Sequence, residues 1–105
     1  MRRGPALGCT LAATLLLSSF CQAAGPDPHP GRYLAATCAG CHGTQGRSTG
    51  GIPPIAGLDR AAIIEAMQGF RSGERPATVM HQHAKGYTAA QIELLADYFA
   101  AQKPL

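Results

Sequence analysis

The pentapeptide Cys38-Ala39-Gly40-Cys41-His42 constrains this chain more than any other feature. Two cysteines three residues apart close almost no loop, so a disulfide between them would add little stability. The spacing is that of c-type haem attachment. Two thiols add to the two vinyl groups of one haem, and the histidine after the second is placed to put its imidazole on the iron. Ala39 and Gly40 are small enough to let a porphyrin edge lie against the backbone. A thioredoxin-like reading of C-x-x-C needs a βαβ context, which this sequence lacks. A zinc site would recruit Cys38 and Cys41 with His81 and His83. His81-Gln82-His83 is H-x-H, outside the usual spacing of about three to five residues.

The two remaining cysteines, Cys9 and Cys21, lie in an N-terminal segment with a different purpose. Arg2 and Arg3 form a basic start, Leu7 to Phe20 is uncharged and rich in Leu and Ala, and Cys21-Gln22-Ala23 offers a small-x-small exit. That is the layout of a secretory signal peptide. The apolar run is short for a retained membrane anchor. Phe20 is bulky where a lipoprotein signal wants a small residue before its acylated cysteine. Arg2-Arg3 lies too near the start for a twin-arginine signal of the usual kind. The expected division is therefore a signal peptide over 1–23, a flexible proline-rich leader over 24–30 and a folded domain over 31–105, working in the periplasm.

Removing residues 1–23 leaves 82 of the 105 residues. The +3 charge of the whole chain falls to +1, with seven basic residues against six acids, and no basic patch remains for a nucleic acid. A domain this small with no Trp buries little apolar surface and needs a staple. Cys38 and Cys41 point to haem as that staple, and the chain without haem is expected to be largely unfolded.

No strand-like alternation appears along the chain, so the fold class is all-α. Gly31 to Cys38 fits a short helix with Tyr33 and Leu34 available for packing. Gly43 to Gly57 holds five glycines and two prolines in fifteen residues and reads as a long loop. Asp59 can cap a helix from Arg60 to about Arg71, with Gly73 just beyond it. Gly69 inside that helix permits either a close approach by a backbone or cofactor, or early fraying. Glu74 to Tyr87 reads as irregular. Thr88 to Gln91 is a capping box, and the helix it opens runs to about Gln102 with Ile92, Leu95, Ala96 and Phe99 as its stripe.

A sixth iron ligand must come from outside the pentapeptide. Met80 stands in the irregular stretch between the two longer helices, 38 residues beyond His42, where a loop can reach the open haem face. Met67 lies on an apolar helix face and reads as core. His81 and His83 are the rivals and would make a bis-histidine haem. A thioether ligand raises the reduction potential relative to a second imidazole. His42 should donate its other ring N–H to a backbone carbonyl, and Ile52-Pro53-Pro54-Ile55 is the candidate segment, with Pro54 the expected source.

At CAGCH, the downstream Met80 and the closing helix, the chain resembles the class I cytochrome c family over nearly the whole mature domain. The resemblance implies a class I cytochrome c fold, with short helices wrapped around one covalent haem c. It implies His42 and Met80 as axial ligands and the Pro54 carbonyl as partner of His42. It also implies a crossing of the first and last helices where Tyr33 and Leu34 meet Leu95, Tyr98 and Phe99. The runs Met67 to Glu74, Thr78 to Met80 and Ala84 to Thr88 resemble more closely the cytochrome subunits of flavocytochrome c sulfide dehydrogenases. Several members of that family carry two haem domains, whereas this chain has one C-x-x-C-H.

That likeness implies electron transfer, with a flavoprotein sulfide dehydrogenase subunit as partner and no catalytic residue on this chain. A free-standing periplasmic carrier to an oxidase or another redox partner is the alternative. A haem-based gas sensor or enzyme would need an open sixth position. Arg47, Arg71, Arg75 and Lys85 offer either a docking face or ordinary solvated charges.

Overall fold

The computed structural model describes residues 25–105, and the expected signal peptide lies outside them. Five α-helices follow in order: α1 (Gly31–Ala35), α2 (Ala39–His42), α3 (Arg60–Ser72), α4 (Met80–Lys85) and α5 (Ala89–Ala100). A 3-10 turn, Ala36–Cys38, joins α1 to α2, and a second, Thr44–Gly46, follows α2. The described residues contain no strand, as the sequence pattern predicts.

The two longer helices begin where their capping residues lie. The Asp59 carboxylate accepts the backbone N–H groups of Ala61 and Ala62 at 2.9 and 3.1 Å. Gly73 closes α3 in the left-handed region at φ +86°, where a side chain would be strained. The Thr88 hydroxyl accepts from the Gln91 N–H at 3.2 Å, and the Gln91 side chain accepts from the Thr88 N–H at 2.9 Å. This completes the reciprocal cap of α5. Gly69 permits a close approach: the Arg75 N–H bonds its carbonyl at 3.0 Å, and a Cβ at Gly69 would come within 3.0 Å of Arg75 Cβ.

Glu74 to Tyr87 is not irregular throughout, because Met80–Lys85 is helical. Six residues are too few to hold a helix in water by propensity. Packing supplies the missing stability: Ala84 is fully buried, and α4 lies against α3. Pro76 and Gly86 at the flanks hide this helix from a composition-based reading.

The core is a cluster of Ala35, Ile63, Leu95, Ala96 and Phe99, with Leu34, Cys38, Ile55, Ile64, Met67, Tyr87 and Tyr98 packed against it. Met67, expected in the core, is half-buried and packs against the edge of this cluster. Helices α1 and α5 cross closely at Gly31, where a Cβ would drive into the Leu94 carbonyl. Leu34 joins this contact but Tyr33 does not, being 76% exposed. Residues 33 and 35 point to different sides of the helix, and Ala35 occupies the inward position. Arg60 on α3 pairs with Glu93 and Asp97 on α5 at the surface.

The long loop is tied down at its far end. The Gly46 carbonyl accepts the N–H groups of Ile55 and Ala56 at 2.8 and 3.1 Å, and Gly57 N–H bonds the Phe99 carbonyl at 2.8 Å. These ties fix the Pro53-Pro54 segment relative to α2 and α5.

Candidate haem site

Cys38 ends the first 3-10 turn, half-buried against the core, and Cys41 lies exposed in α2. Both thiols are free. Three residues of helical backbone place them about one turn apart on the same side. Burial pushes the Cys38 thiol up from its ordinary value, outweighing the lowering by its hydrogen bond with Thr37.

His42 closes α2 and is half-buried. Its Nδ1 lies 2.7 Å from the Pro53 carbonyl oxygen. That oxygen can only accept, so Nδ1 carries the proton and the Nε2 lone pair is left for a metal. The carbonyl partner is Pro53 and not Pro54. A Pro-Pro segment takes extended backbone in which consecutive carbonyls point in different directions. The ties at Ile55 and Ala56 set the register so that the Pro53 oxygen meets the ring. Residue pattern alone does not separate these two carbonyls.

Immediately after His42 the chain reverses through Gly43, Gln45 and Gly46, at φ +78°, +56° and +78°. Gln45 is the only non-glycine residue with positive φ among those described. The turn ends on Arg47, whose Nε is shut off from solvent and has no hydrogen-bond partner among the described residues. A buried guanidinium nitrogen without an acceptor costs about 1–3 kcal/mol, so an anionic acceptor belongs at this place. The two carboxylates of a haem fit that need. The free thiol pair, the oriented imidazole and the enclosed Arg47 Nε form a donor set suited to a haem.

Met80 begins α4 and is half-buried. It shares a helix face with the fully buried Ala84, so it is carried on the inward side. The rival histidines are placed differently. His81 Nε2 lies 2.6 Å from the Arg75 carbonyl, and its ring packs edge-on against Phe70 at 6.3 Å. His83 is exposed. No group of three or more His, Cys, Asp or Glu residues that could hold a metal ion occurs among the described residues, so the zinc constellation is not assembled. Shallow depressions beside α3, lined by residues such as Gln68, Arg71 and Glu74, involve none of the predicted site residues.

The family profile described as cytochrome c matches residues 30–103. This chain belongs to the cytochrome c family. The family brings covalent haem c and electron transfer as its chemistry, and the C-x-x-C-H of residues 38–42 is the attachment sequence. This cytochrome c is 44% identical over 99 residues to the cytochrome subunit of sulfide dehydrogenase from Chlorobaculum tepidum, covering 84% of this chain and 90% of that one. It is 35% identical over 106 residues to a thiosulfate dehydrogenase electron acceptor from Thiomonas intermedia, covering 99% of this chain but 46% of the relative. It is 30% identical to cytochrome c4 from Azotobacter vinelandii, again across half of the relative's length. The all-α class I cytochrome c fold agrees with this membership. Among the described residues, no helix is long and apolar enough to cross a membrane.

Proposed function

We propose that this cytochrome c is exported to the periplasm and accepts electrons singly from a flavoprotein sulfide dehydrogenase. Residues 1–23 are the signal peptide, 24–30 a flexible leader and 31–105 the cytochrome domain. Cys38 and Cys41 hold the haem by thioethers. His42 and Met80 are the iron ligands. When bound, haem supplies one-electron redox chemistry at its iron. The chain's residues set the conditions for it. Pro53 holds the His42 ring and raises the basicity of its free nitrogen. Ala84 and the α3–α4 packing seat Met80 on the inward face of its helix.

The observation that carries the haem site is the 2.7 Å contact of His42 Nδ1 with Pro53, one residue after the free Cys38–Cys41 pair. What supports the sulfide-linked partner is the 44% identity to the Chlorobaculum tepidum subunit across nine-tenths of its length. A second reading, a carrier for thiosulfate oxidation, draws on the Thiomonas intermedia electron acceptor.

Stopped-flow mixing separates the two. The oxidised holoprotein is mixed with a flavoprotein sulfide dehydrogenase subunit plus sulfide, and separately with a thiosulfate dehydrogenase plus thiosulfate. Faster reduction in the first mixture supports the proposal, once direct reduction by sulfide alone is subtracted. Reduction only in the second transfers the protein to thiosulfate chemistry. An iron that both reductants leave oxidised points to a carrier serving another donor.

A further inference from the structure

Met80 is carried by a helix that by itself does little to hold it. α4 is only Met80–Lys85, and no side chain caps it at Val79. Ahead of it, residues 73–76 and 78–79 are exposed. The buried Ala84 anchors the far end of the helix. The near end is held by the side chain that follows Met80. His81 Nε2 lies 2.6 Å from the Arg75 carbonyl oxygen. That oxygen only accepts, so the ring donates from Nε2. The ring also packs edge-on against Phe70 of α3, with centroids 6.3 Å apart. Arg75 is itself fixed to α3. Its N–H bonds the Gly69 carbonyl at 3.0 Å, and its guanidinium stands 5.1 Å from the centroid of the Phe70 ring. The His81 bond therefore closes residues 75–81 into a loop pinned to α3, with Met80 next to the closing residue. Successive helix residues point about 100° apart, so Met80 can face inward with Ala84 while His81 reaches α3.

We propose that His81 is a positioning residue: its bond to the Arg75 carbonyl latches the Met80 segment closed and keeps the thioether on the iron against competing ligands. This rests on the His42 and Met80 ligation proposed above. Met80 leaves the iron when its segment swings out, and that swing breaks the latch. An added ligand for the sixth position binds only the open form, so its apparent affinity scales with the open fraction. A hydrogen bond of ordinary net strength changes that fraction about three- to tenfold. His81 thus serves Met80 rather than competing with it, because its Nε2 is committed to the Arg75 carbonyl.

The test is an imidazole titration of the oxidised holoproteins, followed by loss of the far-red sulfur-to-iron band well below the melting temperature. A wild type without that band before imidazole is added would defeat the Met80 ligation itself, before any variant is compared. His81→Phe keeps a ring against Phe70 but cannot donate. It should show the band at rest and lose it at about three- to tenfold lower imidazole than the wild type. His81→Gln offers an amide N–H in place of Nε2 and should titrate close to the wild type. Gly31→Ala strains the α1–α5 crossing instead, so it should melt earlier yet titrate as the wild type does. A wild-type midpoint in His81→Phe overturns the inference, as does an equal shift in His81→Gln. The same shift in Gly31→Ala also overturns it, since loss of stability alone would then explain the effect. Should the His81→Phe holoprotein not accumulate, nuclear magnetic resonance of the reduced wild type decides. An Nε2 proton of His81 that resists exchange with water upholds the latch, and one in rapid exchange overturns it.

Discussion

Nδ1 of His42 and the carbonyl oxygen of Pro53 lie 2.7 Å apart, eleven residues from each other in the chain. The contact depends on two ties further along, where the Gly46 carbonyl holds the N–H groups of Ile55 and Ala56. Loop, histidine and first helix pair thus form one mechanical unit.

Loosening Pro53 should therefore be read at the iron. Pro53→Gly restores backbone freedom at this position at a cost of about 0.4–1 kcal/mol. The carbonyl then orders the imidazole less well and the ligand becomes less basic. A weaker donor stabilises ferric iron less, so the reduction potential should rise. A redox titration giving the wild-type potential would remove this hydrogen bond from the account.

Met80 and its rivals are separated by a single absorption band. Met80→Ala should abolish the far-red sulfur-to-iron band of the oxidised protein, while His81→Ala and His83→Ala keep it. Met67→Ala should also keep the band, yet lower stability by about 2 kcal/mol, because Met67 packs against the core. Loss of the band in Met67→Ala with retention in Met80→Ala would reverse the assignment.

The crossing of α1 and α5 has no room at Gly31. Gly31→Ala forces its methyl into the Leu94 carbonyl, and overpacking of this kind costs about 1–3 kcal/mol. A lower thermal midpoint with an unchanged haem spectrum is expected. An unchanged or higher midpoint, as helix propensity alone would give, contradicts the close crossing.

Much of this was legible in residue patterns because the signals are local. Asp59 and Gly73 bracket α3, and Thr88 with Gln91 opens α5, since caps act within a few residues. The C-x-x-C-H pentapeptide carries its chemistry within five positions. What patterns did not show depends on tertiary contact. The α4 helix exists because Ala84 is buried, Tyr33 faces solvent because Ala35 takes the inward place, and Pro53 meets His42 because Gly46 holds the loop's register. Arg47 looked like any other surface charge until its Nε proved to be enclosed.

Among the described residues, the large side chains that are buried are few: Ile63, Ile92, Leu95 and Phe99. A domain of this size with so thin a polypeptide core falls short of independent stability. The mature chain produced without haem should give circular dichroism of low helix content and no cooperative melt. A sharp thermal transition in haem-free protein would show that the helices need no cofactor.

The central claim is that one haem is covalently held at Cys38 and Cys41 and exchanges one electron. The direct measurement is the intact mass of the protein purified after export, following acid extraction and alkylation, paired with a potentiometric titration. The account predicts a chain beginning near Ala24, one haem retained through extraction, no alkylation at Cys38 or Cys41, and a single one-electron wave. Extractable haem with both thiols alkylated would contradict it.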